Sequence, residues 1–231
     1  MLTSLDNPKI KELIKLKKAK ERKKENKFIV EGPHLVKEAR NLNLLIEAFS
    51  LEEKEGYTAI SKQIMDKISE TDTTVTEIGL CKMLNSNDLC DKLLILDAVQ
   101  DPGNLGAIMR SANAFGFKTI VLGEGTCDIY NPKVIRSSQG AIFKLNFINA
   151  NIIEFLDKIA DYDIYGTNVI NGIELDKVDK KEKIAVILGN EGNGIKKEIF
   201  DKLEKNIYIP MENTESLNVA IAASIIMYKL R

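Results

Sequence analysis

From Leu93 onward the chain alternates short apolar runs with helix-like segments, and nothing else in it constrains the fold as strongly. Strand-like runs read at "LLILDAV", "TIVLG", "FKLNFI", "DIYGTNV", "IAVILG" and "NIYIP". Helical segments lie between most of them: 104–115, 131–139, 152–160, 195–204 and a last one over 216–230. Apolar strands joined through helices predict an α/β fold, a parallel sheet covered on both faces. Ligands of such sheets gather outside the carboxyl ends of the strands. That rule selects three loops, 100–104, 189–194 and 210–216.

The chain before Leu93 reads as a separate, smaller α/β unit. "FIVEG" (28–32) and "LIEAFSL" are strands, and "HLVKEARNL" and "KQIMDKISE" are helices, the latter with Ile64, Met65 and Ile68 at helical spacing. The polar, turn-rich "NSNDLCDK" (85–92) is the expected linker, leaving domains over 1–84 and 92–231. Formal net charge is only −1, but residues 1–27 hold ten Lys or Arg against four Asp or Glu, a net of +6 that leaves −7 elsewhere. This excess lies in "KIKELIKLKKAKERKKENK", read as one basic helix. One reading is a solvated face; the other is a phosphate-binding arm carried by Lys17, Lys18, Lys20, Arg22, Lys23 and Lys24.

Several chemistries are set aside. Cys81, Cys90 and Cys127 are widely spaced with no CxxC, which predicts reduced thiols in a cytoplasmic protein, without disulfide or zinc. No apolar leader and no run of about 18 apolar residues appears, so neither secretion nor membrane insertion is expected. Catalytic triads and HExxH chemistry would all depend on the single histidine, His34, which sits at a helix start and suits a capping or surface role. "IAVILGNEGNGI" spaces its glycines GxxGxG, which is neither a P-loop nor GxGxxG. "VLGEGTCD" comes closer, but Asp128 takes the third position and "IYNP" interrupts the helix a pyrophosphate needs. A nicotinamide dehydrogenase is therefore disfavoured. A nucleoside-like ligand without phosphate, held by loop backbone, suits these loops; S-adenosylmethionine is one.

Two helices carry the polar residues of interest. In "LDAVQDPGNLGAIMRSANAFG", Pro102 and Gly103 turn the chain off its strand and Asn104 can cap the helix. Leu105, Ile108, Met109, Ala112 and Phe115 form its apolar stripe, and Arg110 lies about 170° from the stripe's centre, pointing away from the core. In "IYIPMENTESLNVAIAASIIMYKLR", Pro210 ends a strand and Ser216 or Thr214 can cap a helix apolar nearly all round. Such a helix belongs in the core or against a second subunit. Asn218 is its exception, either a satisfied core amide or one that orients a ligand loop.

"DPGNLGAIMRSANAFG", "ILGNEGNGI" and "IPMENTESLNVAIAAS" resemble, in order, the three motifs of the SpoU/TrmH-type RNA ribose methyltransferases of the SPOUT superfamily. The resemblance spans Leu93 to Arg231, and "FIVEGPHLVKEA" is similar to a small substrate-binding module that precedes many such domains. It implies a carboxy-terminal parallel sheet with a trefoil knot, S-adenosylmethionine as methyl donor, and a homodimer. Binding of that donor is expected without metal, because its sulfonium is already activated and the loops offer no clustered metal ligands. It places the donor against Gly189, Ile209, Met211 and Leu217, with Asn168 and Leu188 nearby, and puts Asn104, Arg110, Glu191, Ser216 and Asn218 around the reacting centre. The implied reaction is 2′-O-methylation of a ribose in structured RNA, with 23S-type ribosomal RNA preferred because the extra module accompanies many such enzymes. Transfer RNA is the alternative substrate, and a non-catalytic RNA-binding or ribosome-assembly factor the alternative role.

Overall fold

In the computed structural model, which describes every residue except 72, 73, 86, 87, 169, 170 and 215, the alternating half of the chain forms a seven-stranded sheet in which every pairing is parallel. Ser86 and Asn87 of the expected linker, and Val169 at the end of "DIYGTNV", lie outside the described residues. The first elements are α1 (Pro8–Lys15), α2 (Ala19–Glu25), β1 (Lys27–Glu31), α3 (Pro33–Asn41), β2 (Leu45–Ser50), β3 (Thr58–Ala59), α4 (Lys62–Ile68) and β4 (Glu77–Lys82). Then come β5 (Lys92–Leu96), α5 (Pro102–Phe115), β6 (Thr119–Leu122), α6 (Pro132–Ser138), β7 (Asn146–Asn149) and α7 (Ile152–Leu156). The last are β8 (Asp163–Thr167), β9 (Gly172–Glu174), β10 (Ile184–Leu188), α8 (Lys197–Phe200), β11 (Asn206–Tyr208) and α9 (Val219–Leu230).

The chain divides into two compact units. One comprises Met1–Asn85 together with Asp128–Phe143; the other comprises Ser86–Cys127 and Lys144–Arg231. A division at a single linker does not anticipate the segment 128–143. Its place in the first unit has a clear physical basis: Tyr130 lays its ring 4.8 Å from Phe28, and its hydroxyl accepts the Leu84 N–H at 2.9 Å.

The first unit's sheet runs β1-β4-β2-β3, with β4 antiparallel to both neighbours. Ile10, Leu13 and Leu16 pack with Ile64, Met65 and Ile68 of α4 over Phe49, Ile78 and Leu80. The central β4 is missing from the sequence reading because "EIGLCK" carries Gly79 where a β-branched residue would mark a strand. Glycine is required there, since a Cβ would stand 2.8 Å from Leu45 and 2.9 Å from Val30.

In the second unit the order is β7-β6-β5-β10-β8-β11-β9. β10 is buried from end to end and β5 from Leu93 to Leu96, as a sheet covered on both faces requires. On one face Leu93, Ile95, Ala185 and Ile187 meet Phe155, Leu156, Ile159 and Ile199. Several elements depart from expectation: β9 has no counterpart in the sequence reading, and 152–160 is α-helical only over Ile152–Leu156. The basic segment is two helices rather than one, the segment 195–204 is helical only over Lys197–Phe200, the last helix begins at Val219, and the start of "FKLNFI" is a 3-10 turn.

Candidate active site

β10 and β5 are adjacent and in register, so Leu188 and Leu96 end together and their loops leave the sheet side by side. After Leu188 the chain turns at Gly189, where a Cβ would sit only 2.0 Å from the Gly194 carbonyl carbon. Asn190 and Gly194 exchange both backbone hydrogen bonds at 2.9 Å, and the Asn190 Oδ1 accepts the N–H groups of Gly192 at 2.9 Å and Asn193 at 3.1 Å. Gly194, at φ +68°, takes the left-handed conformation that closes the turn. The GxxGxG spacing is thus the signature of a self-bonded loop rather than of a phosphate cradle.

This loop, the end of β11 and the approach to α9 enclose a cleft of about 390 Å³, within the usual range for small-molecule sites. The structure brings Asn168, Leu188, Gly189, Ile209, Met211 and Leu217 onto its wall, together with Glu191, Ser216 and Asn218. Asn190, Tyr208 and Ile226 also line it and escaped the sequence reading. Asn190 lies inside a motif already singled out, whereas Tyr208 and Ile226 gave no signal beyond strand and helix periodicity.

Three polar side chains, from the first turn of α5, the 189–194 loop and the cap of α9, meet at the edge of this cleft. Asn104 is not the helix cap; Asp101 caps α5, its carboxylate accepting the Asn104 N–H at 2.8 Å. That frees the Asn104 side chain in the first turn, where its amide donates to Glu191 Oε1 at 3.0 Å and its oxygen accepts from Asn218 Nδ2 at 2.9 Å. Asn218 is itself the cap of α9, in place of Ser216 or Thr214, accepting from Ala220 N at 2.9 Å and Ile221 N at 3.3 Å. A carboxylate can only accept, so Glu191 fixes which way Asn104 faces, and Asn104 in turn fixes Asn218. Glu191 also receives the N–H groups of Asp101 at 3.3 Å and Gln100 at 3.4 Å. Burial alone would raise its pKa, but the donors from Asn104 and the backbone outweigh this and hold its carboxyl below the ordinary value.

Arg110 stands apart from this cluster. It is exposed on α5 and lines a separate shallow depression with Ala107, Ser111, Ala114 and Phe115. α9 packs against α5, with Ser224 and Ser111 hydroxyls 2.7 Å apart and Tyr228 edge-on to Phe115 at 5.6 Å. That helix is not buried all round: Ile221, Ile225 and Tyr228, one face at helical spacing, are 53, 39 and 55% exposed. Of the basic cluster, Lys18, Lys20, Lys23 and Lys24 are exposed, and Lys17 donates to the Ser69 carbonyl at 3.2 Å. Arg22 is a correction. It is 3% exposed, its Nη1 held by the carbonyls of Leu16 and Lys17 at 3.0 and 2.7 Å and its Nη2 paired with Asp128. A guanidinium so enclosed cannot reach a phosphate; it closes the end of α1 instead. Among the described residues no group of three or more His, Cys, Asp or Glu is placed to hold a metal, and no helix is long and apolar enough to cross a membrane.

Known proteins resemble this chain over its whole length. Residues 91–228 match the SpoU rRNA Methylase family, and residues 7–79 match the MRM3-like substrate binding domain. The chain is 35% identical to the 23S rRNA (guanosine(2553)-2'-O)-methyltransferase RlmP of Bacillus subtilis (strain 168), covering 100% of this chain and 98% of that one. It is 30% identical to the 23S rRNA (guanosine-2'-O-)-methyltransferase RlmB of Coxiella burnetii (strain RSA 493 / Nine Mile phase I), over 85% of this chain and 80% of that one. The AdoMet-bound rRNA methyltransferase of Sinorhizobium meliloti superposes with a TM-score of 0.90 at 26% identity, covering 100% of this chain and 96% of that one. This chain belongs to the SpoU rRNA methylase family.

Proposed function

We propose that this protein methylates the 2′-hydroxyl of a ribose in 23S-type ribosomal RNA, with S-adenosylmethionine as donor, as a cytoplasmic homodimer that needs no metal. The observation that carries the reading is the Asn218–Asn104–Glu191 chain, which ties the cap of α9 and the first turn of α5 to the 189–194 loop at the rim of the cleft. A full-length relative named as a 23S rRNA enzyme favours ribosomal over transfer RNA. The cleft suits a nucleoside: Leu188, Ile209, Leu217 and Ile226 give apolar surface, and the self-bonded 189–194 loop presents backbone beside it.

S-adenosylmethionine supplies a methyl group already activated on a sulfonium, so no Lewis acid is required. In the transfer, the hydroxyl oxygen gains the methyl as the carbon–sulfur bond breaks, and the hydroxyl proton must leave. Guanidinium stays protonated at ordinary pH, so Arg110 is not the base. Its planar fork holds the neighbouring phosphate bidentately and stabilises the negative charge growing on the oxygen, with the phosphate or a water taking the proton. Arg110 does not line its own chain's cleft, which is why the homodimer belongs to this reading. The exposed stripe Ile221, Ile225 and Tyr228 adjoins the α5 face that carries Arg110, and docking a second copy there places that arginine at the interface. The superfamily's trefoil knot is part of the proposal too, supported by β10 lying between β5 and β8 and by Lys92 Nζ donating to the Leu230 carbonyl at 3.3 Å. The exposed lysines of α2 supply phosphate contacts.

The test is radiolabelled methyl transfer to ribosomal RNA from cells lacking the gene, followed by mapping of the modified ribose. Donor binding should persist by calorimetry in EDTA, and light scattering on the full chain at tens of micromolar should give a dimer. Transfer to tRNA alone would move the substrate class. Donor and RNA binding without transfer would leave only a binding factor.

A further inference from the structure

We infer that Asp97, which does not line the cleft, is a positioning residue for the methyl donor, acting through the backbone of the 189–196 loop. This rests on the reading of the cleft as the donor site. Asp97 follows β5 directly, and its own N–H continues the strand pairing to the Leu188 carbonyl at 2.8 Å. Its side chain is 1% exposed and grips the far limb of the loop, Oδ2 accepting the Lys196 N–H at 2.7 Å. The next residue grips the near limb: Ala98, at φ +57°, turns its carbonyl to accept the Asn190 Nδ2 at 2.9 Å. Two consecutive residues of one strand end therefore fix both ends of the loop that carries Gly189, Glu191 and Gly194 to the cleft.

Stability alone is a poor reason for this carboxylate. Its Oδ1 has no hydrogen-bond partner, and the Lys196 ammonium, itself 44% exposed, stays 3.5 Å away. A buried charge left partly unsatisfied is costly, and an apolar side chain would pack there at less expense. What an apolar side chain cannot do is accept the Lys196 N–H. That charge-assisted bond presets the loop before the donor arrives, so the donor need not spend its binding on ordering it.

The test uses the full chain and three substitutions, with donor affinity measured by calorimetry well below each melting temperature. Asp97→Ala should weaken S-adenosylmethionine binding on the order of tenfold or more, since a hydrogen bond to a charged group is lost. Asp97→Asn retains an acceptor oxygen and should restore most of that affinity. Lys196→Ala keeps the backbone N–H and should bind the donor within about threefold of the unaltered protein, because the exposed ion pair contributes little. RNA affinity should be the same in all three, a readout that general destabilisation would move. Equal donor affinity in Asp97→Ala and the unaltered protein would overturn the assignment. Should that variant not fold, amide exchange in the unaltered protein decides: the Lys196 N–H should be protected without donor, and exchange at the free-peptide rate would refute a preset loop. Failure of the unaltered protein to bind the donor would instead sink the reading of the cleft.

Discussion

α2 and α5 each carry an arginine that the sequence marks as functional, and the fold treats the two in opposite ways. Arg22 comes from a dense run of lysines, yet it is buried, held by two carbonyls and paired with Asp128. Arg110 comes from a mostly apolar helix, yet it is exposed beside a shallow depression. Charge density pointed the wrong way at Arg22, and helical phase pointed the right way at Arg110. The lesson is physical. A guanidinium can be held inside where the backbone leaves carbonyls unpaired, and the break between α1 and α2 leaves those of Leu16 and Lys17 to Arg22. No such groups exist opposite the apolar stripe of a continuous helix, so Arg110 stays available to a substrate.

The contrast breaks most visibly at Arg110. Arg110→Ala should lower turnover roughly a hundred- to a thousandfold, the usual loss when a donor placed for developing charge is removed. Melting temperature and donor affinity should barely move, because the side chain packs on nothing essential. Arg110→Lys should recover little, since an ammonium lacks the planar fork. Single-turnover transfer assays with calorimetry check all three outcomes, and near-normal turnover in the alanine variant would return Arg110 to an ordinary solvated surface.

Arg22→Ala should show the reverse pattern. Removing one partner of a buried ion pair takes away the cation that Asp128 and two carbonyls share, at a cost of about 3 kcal/mol in the first unit. Denaturant titration followed by tyrosine fluorescence should show an earlier transition, while the salt dependence of RNA binding by the remaining folded protein stays as it was. The lysines should separate from it. Neutralising Lys18, Lys20, Lys23 and Lys24 together should leave melting unchanged and flatten the salt slope of RNA binding, by roughly one for each phosphate that a lysine no longer neutralises. A slope altered by Arg22→Ala but not by the lysine changes would invert the comparison.

The same divide explains what was legible in the sequence. The parallel sheet could be read because buried strands such as β10 are apolar at every position, and the cleft because strand ends fix where loops gather. What stayed hidden depends on partners distant in sequence. Gly79 conceals β4 because Val30 and Leu45 leave no room for a side chain. The segment 128–143 joins the first unit through Tyr130 and Phe28, which are about a hundred residues apart. The sequence marks both Asn104 and Asn218, but it assigns the two helix caps to the wrong residues. Asp101, not Asn104, caps α5, and Asn218, not Ser216 or Thr214, caps α9. Several good capping residues in a row cannot be ranked without knowing which of them has another partner.

Glu191 gives the smallest expected effect and sharpens the comparison from the side of the cleft. Unlike Arg110 it is preset, with donors from Asn104, Asp101 and Gln100 already in place. Burial opposes its ionisation, but those donors prevail, so its folded pKa lies below the ordinary value of 4.5. A carboxylate whose pKa is lowered by folding adds stability that is present above its unfolded pKa and is lost only as pH falls through the folded one. The Asn218–Asn104–Glu191 chain should therefore hold at neutral pH and loosen on acidification with a midpoint below that of an ordinary glutamate. Carbon-13 titration of the Glu191 carboxyl should show a midpoint below that of a free glutamate, and in Glu191→Gln the amide resonances of Asn104 and Asn218 should shift at neutral pH without waiting for acid. A Glu191 midpoint at or above the ordinary value would mean that the donors do not hold it in solution. The cleft's polar corner would then be as unfixed before substrate binds as Arg110 is.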